Sequence, residues 1–415
     1  MTESGLGGAL VIQKELRHDD CNTIFVFNLI VSLILYSLVF ITADYIEEFY
    51  HIKDLSTVSR VLSLVFVING ICVVPRTILC YNLRFRELCI ITLVSAIISS
   101  IVSIVMAFFD CGVYTLVVFQ LLGAFITAIL SLIISKYKPI FHFSRQSFKK
   151  LFAFGFYTTI TGVLDTLYEN LMASVYGKWL SVTSAGYLSQ AKKLEEASTQ
   201  SILSTVNNTS FPILSKMKES IAQFRYEADK ILTTIPLIVF PIMFVLYSYS
   251  DDVIRILLGT QWTEAAPYLR MLVIAGLFMI LDDIVRNFIK SLGLVKKLFY
   301  LTIVKRIIGL SLIMLAVIVS TEYILLAYAI SAALGFLLTS MMYSKIVGLH
   351  SLNIFIKTFK SVIYTAPLFF AIEFTQNYIH NFLLSAVLAV LEMMIYYLII
   401  LKILHINIMS YLRRR

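Results

Sequence analysis

With 59% hydrophobic and only 14% charged residues over 415 positions, and a mean hydropathy of +0.87, this chain lies outside the balance of a soluble domain, where about a quarter of residues carry charge. That balance excludes a water-soluble globular enzyme and a disordered, highly charged chain. The net charge of +9 is read as membrane topology and attraction to anionic lipid, not as a nucleic-acid interface.

In chain order, twelve apolar segments are each about the 20 residues needed to cross a hydrocarbon core. They are expected near 23–45, 56–78, 88–109, 113–135, 150–175, 184–206, 229–249, 265–288, 298–319, 322–344, 357–379 and 382–403. The fold class is therefore all-α and polytopic. The opening residues contain Glu3, Lys14, Glu15, Arg17, Asp19 and Asp20 where a cleavable signal would be apolar. Cys21, Cys72, Cys80, Cys89 and Cys111 lie in or beside spans without a C-x-x-C pair, which favours small apolar filler over a zinc or disulfide framework.

Basic residues set the expected orientation, because cytoplasmic loops retain Lys and Arg in excess. The loops at 1–22, 76–88, 136–150, 216–230, 286–297, 345–360 and 402–415 hold 25 of the 34 Lys and Arg, and the opposite loops hold Lys53, Arg60, Lys178 and Arg255. Both termini are thus expected in the cytoplasm, with Trp179 and Trp262 at outward helix ends.

A shift of 210 positions superimposes part of the chain on itself. Asp54 falls on Glu264, Arg60 on Arg270, Arg76 on Arg286 and Leu88 on Leu298, and the four spans from 23 to 135 land on those from 229 to 344. Such parallel repeats build two helical lobes in many carriers. The expected organisation is an N-terminal lobe at 1–135, a basic linker at 136–149, a six-helix lobe at 150–346, and two accessory helices with a basic tail at 347–415. The fifth and sixth spans lack counterparts in the first half, so two further spans, about 60 residues, are expected upstream.

The residues also resemble a known family, the polysaccharide and O-antigen flippases of the superfamily that includes multidrug and toxin extruders. The likeness rests on Ser4-Gly5-Leu6-Gly7-Gly8-Ala9-Leu10 with Ile12-Gln13-Lys14, on Phe49-Tyr50, Val74-Pro75-Arg76 and Asn82-Leu83-Arg84-Phe85-Arg86. It continues in Gly177-Lys178, Ala185-Gly186-Tyr187, Leu258-Gly259, Trp262 and Ala265-Ala266-Pro267. The resemblance implies a fourteen-helix carrier, whose opening motif normally follows the second helix. It also implies a polyprenyl-pyrophosphate-linked oligosaccharide as cargo, moved from the cytoplasmic to the periplasmic leaflet of the bacterial inner membrane for lipopolysaccharide, capsule or exopolysaccharide synthesis. A glycan polymerase and its chain-length machinery are the corresponding candidate partners. Relatives often carry Asp-Asn where this chain has Met172-Ala173, and Glu169 stands three residues earlier on nearly the same helix face.

Lys192, Lys193, Arg270, Lys305 and Arg306 fall inside spans, where a cation at the bilayer centre costs about 2.5–3.5 kcal/mol and normally faces a polar interior. They are the candidate cargo-binding residues, suited to pyrophosphate and acidic sugars in a basic cleft. Thr158, Thr161, Asp165 and Glu169 share one helix face, and Asp165 and Glu169 are candidates for ion coupling or for neutralising the lysines. The segment from Ser181 to Ser210, with Gln190, Glu195, Glu196, Asn207 and Asn208, is too polar to face lipid. Asp282 and Asp283 are expected to pair locally with Arg286. Glu373 and Glu392 stand alone, and Pro236 and Pro241 mark a kink or hinge.

No phosphate-binding G-x-x-x-x-G-K-[ST] loop and no H-E-x-x-H occurs, so ATP drive, enzymatic chemistry and a resident metal or cofactor are not expected. A flippase working by alternating access is the first reading. A cation-coupled multidrug extruder of the same superfamily, which should centre its cavity on carboxylates, and a membrane glycan polymerase or ligase, which needs a large external loop, are the alternatives.

Overall fold

The computed structural model describes residues 5–51, 54–179, 182–320, 323–348, 351–378 and 382–403, and every regular element among them is helical. The basic tail and His350, His380 and His405 lie outside the described residues. The helices are α1 (Gly5–Val11), α2 (His18–Tyr50), α3 (Leu55–Tyr81), α4 (Phe85–Phe108), α5 (Tyr114–Ser135), α6 (Arg145–Trp179) and α7 (Val182–Lys216). They continue as α8 (Ile221–Ser248), α9 (Ser250–Leu257), α10 (Ala266–Ser291), α11 (Val295–Val319), α12 (Ile324–Val347), α13 (Ser351–Tyr378) and α14 (Phe382–Ile403), with a 3-10 turn at Thr260–Ala265 before α10.

Each expected span coincides with one of the long helices. Seven of them, α2 to α5, α8, α11 and α12, are long and apolar enough to cross a membrane by length and composition. α6, α7 and α10 fall short of that apolarity because they carry polar and charged side chains: α7 holds Gln200, Asn207 and Asn208, and every 18-residue stretch of α10 takes in both Asp282 and Asp283 together with Arg270 or Arg286. The chain is a multi-pass membrane protein.

The chain divides within α6 into two compact units, residues 1–160 and 161–415. In the first, α3 packs on α2 and α5, and α5 on α4. The buried side of α4 is a stripe of Ile91, Ser95, Ser99 and Ser103. Helices in lipid lack a hydrophobic drive to associate and use small residues for close approach; accordingly, Gly123 of α5 faces Ser99, with 3.5 Å from a built Cβ to its Oγ. The segment before α6 is tied to the start of α2: the Tyr137 hydroxyl donates to Asn22 Oδ1 at 2.7 Å, and the Ser144 amide donates to Thr23 Oγ1 at 3.1 Å.

The opening segment, expected as a cytoplasmic loop, instead contains α1, whose seven residues are all buried. A Cβ on Gly5 would stand 2.1 Å from the Gly155 carbonyl oxygen, and a Cβ on Gly155 would stand 2.4 Å from Leu6 Cδ2. Gly5 of that motif therefore lets α1 approach the α6 backbone at Gly155.

In the second unit, α10 packs on α7, α8 and α12, α12 on α11, and α8 on α13. The 210-residue shift holds at three element ends: α3 ends at Tyr81 and α10 at Ser291, α4 begins at Phe85 and α11 at Val295, and α5 begins at Tyr114 and α12 at Ile324. The stretch 250–264, expected on the outward side, is no open loop, since α9 and the 3-10 turn occupy it. Trp262 in that turn meets the Tyr187 ring edge to face at 5.8 Å.

Candidate functional site

Five helices of the second unit bring their charged and polar residues together. From α6 come Asp165, Tyr168 and Glu169; from α7, Lys192, Glu195, Glu196 and Asn207; from α10, Asp282, Asp283, Arg286 and Asn287; from α11, Lys305 and Arg306; and from α12, Thr339. A helical i, i+3, i+4 register sets each group on one side of its helix, and in lipid only an interior side lets such groups find partners.

Asp165 holds two guanidiniums. Arg286 Nη2 donates to its Oδ2 at 2.7 Å, and Arg306 donates to Oδ1 through Nε at 3.0 Å and Nη2 at 2.6 Å. Arg306 also lies over the Tyr168 ring, 4.2 Å from its centre, an arrangement that favours the cation electrostatically. Gly309 makes room for that ring, because a Cβ there would be 2.6 Å from the Tyr168 oxygen.

A second group is closed more tightly. Lys305 Nζ donates to Asp282 Oδ2 at 2.5 Å and to Thr339 Oγ1 at 3.1 Å, and the Thr339 hydroxyl donates to Asp282 Oδ1 at 2.6 Å. Gly335 leaves space for the lysine stem, with 3.0 Å from a built Cβ to Lys305 Cε. Nearby on α10, Asp283 accepts from Asn207 Nδ2 at 2.5 Å, while Asn287 Nδ2 donates to Asn207 Oδ1 and to Ser210 Oγ, both at 2.9 Å.

A third group is open. Lys192 pairs with Glu169 and, at 3.8 Å, with Glu196, and Lys193 on the next position is exposed. The Lys192 and Glu169 side chains are 33% and 31% exposed, against 11% and 13% for Lys305 and Asp282. Glu195 presses against the backbone of α10 at Gly276, where a Cβ would stand 2.5 Å from its Oε1. The unit thus grades from a sealed ion pair on α10–α12 to accessible cations on α7.

Several expectations change. Asp282 and Asp283 do not form the expected local pair with Arg286: the α10 backbone carries Arg286 toward α6, and the acids find Lys305 and Asn207 on other helices. Arg286, counted as a loop residue, lies inside α10, which runs to Ser291. Arg270 stands apart from the group, twelve residues or about 18 Å of helix rise from Asp282, and pairs with Asp251 near the start of α10. The expected basic cleft is instead a mixed-charge core in which Lys305, Arg306 and Lys192 each have a carboxylate. Tyr168, Thr339, Gly309 and Gly335 were missed, because nothing in a hydroxyl, a phenol or a glycine flanked by apolar residues announces that it borders a charge.

The sequence profile described as polysaccharide biosynthesis protein matches residues 1–267. The chain belongs to the polysaccharide biosynthesis protein family. This family member is 24% identical over 369 residues to the teichuronic acid biosynthesis protein TuaB of Bacillus subtilis (strain 168), covering 88% of this chain and 76% of that one. It is 22% identical over 343 residues to the lipopolysaccharide biosynthesis protein WzxC of Escherichia coli (strain K12), covering 82% of this chain and 68% of that one. Among solved structures, the lipid II flippase MurJ in an inward closed conformation aligns with a TM-score of 0.63 at 16% identity, covering 97% of this chain and 89% of that one. The polysaccharide biosynthesis protein therefore has the fold of that transporter.

Proposed function

We propose that the protein flips a polyprenyl-pyrophosphate-linked oligosaccharide repeat unit from the cytoplasmic to the outer leaflet of the bacterial inner membrane, with both termini in the cytoplasm and without enzymatic chemistry. The observation that carries this reading is the polar, multiply charged interior of the second unit, built across five helices of a family member in polysaccharide biosynthesis. A core of that kind costs several kcal/mol per uncompensated charge in lipid and suits passage of a charged, hydroxyl-rich headgroup.

The graded exposure divides the labour. Lys192 and Lys193 are the cargo-facing cations, whose ammonium groups suit a pyrophosphate. Lys305, Arg286 and Arg306, held by Asp282 and Asp165, keep the helices in register. Asp165 with two guanidiniums and Glu169 with Lys192 act as counter-charges, which disfavours a cation extruder, since that activity needs carboxylates free to receive the drug or ion. Transport then proceeds by alternate opening of the polar interior to the two leaflets, and the cargo drives the change by binding the two states with different strength.

Deleting the gene and reading the leaflet distribution of the lipid-linked repeat unit tests the reading. Accumulation on the cytoplasmic leaflet, reversed by the wild-type gene, is the expected result; an unchanged distribution overturns it. A glycan polymerase and its chain-length regulator are the proposed neighbours in the same export route.

A further inference from the structure

The first four turns of α6, within the first unit, carry a pattern that the transport core does not use. At 3.6 residues per turn, Arg145, Lys149, Phe152 and Phe156 fall within an arc of about 60° on one face. Arg145 and Lys149 are exposed, as are Phe152 at 38% and Phe156 at 46%. The aromatic rings form a ladder: Phe143 to Phe148 with centres 5.4 Å apart, Phe148 to Phe152 at 4.9 Å, and Phe152 to Phe156 at 5.6 Å. Phe27 of α2 buttresses it from the side, 5.1 Å from Phe148.

This differs from an ordinary lipid-facing surface of the same unit. The exposed face of α4 is aliphatic, with Ile90, Leu93, Ile97, Ile101 and Ile104, and a single exposed cation, Arg86, continues its line. On α6, two cations one turn apart lead directly into a run of rings.

We propose that the α6 face from Arg145 to Phe156 is a docking track for a polyprenyl diphosphate. Arg145 and Lys149 take the diphosphate oxygens by charge-assisted hydrogen bonds, and the ring ladder takes the first isoprene units, whose flat branched segments lie well against aromatic faces. The charge at the head of the ladder selects a lipid with a compact, doubly acidic headgroup. The proposal rests on the reading of the cargo as lipid-linked, and it adds a place where the lipid part is gathered before the headgroup enters the polar core.

The test uses the full-length protein in phosphatidylcholine nanodiscs with a benzophenone-bearing farnesyl diphosphate as photoprobe. Labelling is expected on α6, to fall about fivefold when Phe152→Leu and Phe156→Leu remove the rings but keep apolar bulk, and to fall again in the Arg145→Gln, Lys149→Gln protein. Geranylgeranyl diphosphate should compete. Unchanged labelling in the ring variant overturns the proposal, and so does equal competition by phosphatidylglycerol, which would make this an ordinary lipid surface. Because the readout is labelling, its outcome is independent of the leaflet assay, so failure of the transport reading and failure of the track are separately visible.

Discussion

Leu83 and Gly293 lie 210 positions apart and both hold a left-handed backbone, with φ of 58° and 79°. Each follows a helix end closed by the same six-residue hydrogen bond, Arg84 N–H to Leu79 O at 2.9 Å and Leu294 N–H to Ile289 O at 3.3 Å, the Schellman stop. The repeat therefore preserves a backbone conformation where it has not preserved the residue that adopts it most easily. A left-handed conformation costs a branched residue about 1–2 kcal/mol. Leu83→Gly is expected to raise the thermal midpoint of the detergent-solubilised protein, and Gly293→Val to lower it by an equivalent of about 1–2 kcal/mol. Equal midpoints for both variants would remove the conformational argument.

The Asp165 carboxylate is expected to be a more sensitive position than Glu169. Asp165→Asn leaves Arg286 and Arg306 without the carboxylate that they share. Breaking a buried pair costs about 3–5 kcal/mol, and side chains about a quarter exposed put this one at the low end, about 3 kcal/mol. Glu169→Gln, whose pair with Lys192 is a third exposed, should cost at most about 1 kcal/mol. Comparing folded yield and thermal midpoint of the two variants checks the ordering.

Charge reversal of the accessible cations separates cargo contact from folding. Lys192→Glu with Lys193→Glu is expected to abolish surface glycan with normal membrane expression, whereas Lys305→Glu, which opposes Asp282, should reduce expression itself. Undiminished export in the double variant would take the α7 lysines out of the site.

Proline creates a defect in α8 that α14 repairs. Pro241 has no N–H for the Leu237 carbonyl; that oxygen accepts instead from the Tyr396 hydroxyl at 3.5 Å, and the Ile238 carbonyl accepts from the Tyr397 hydroxyl at 2.8 Å. Tyr397→Phe should cost about 1 kcal/mol. Tyr396→Phe should cost less, because its bond is long, and its cost should vanish in a Pro241→Ala background, where the helix ladder is restored. A cycle with no coupling between positions 241 and 396 would argue that the phenol is a bystander.

Gly155 of α6, which receives the opening motif, is expected to be irreplaceable for packing. Gly155→Val would drive a branched side chain into Leu6, and overpacking of this kind costs about 1–3 kcal/mol. Protection of a cysteine placed at Ala9, which is fully buried, measures the displacement of α1: rapid labelling by a membrane-permeant thiol reagent is expected in the Gly155→Val background and slow labelling without it.

The sequence by itself determined the positions of the twelve long helices and the repeat, because hydrocarbon demands about 20 apolar residues with internally satisfied backbones wherever the chain crosses. The 210-residue offset was legible for a related reason: helix ends need specific stop conformations, so Arg84 and Leu294 stay in register although few side chains match. Candidate residues were legible by type and depth, since a cation within a span has few stable places to go. Their partners were not. Arg286 reaches Asp165 across 121 residues and Lys305 reaches Asp282 across 23, and only the packing of α6, α10, α11 and α12 decides which acid meets which base. A charge in sequence has neighbours along one helix, but a charge in lipid is stabilised by whichever helix is packed against it, and that choice belongs to the tertiary structure.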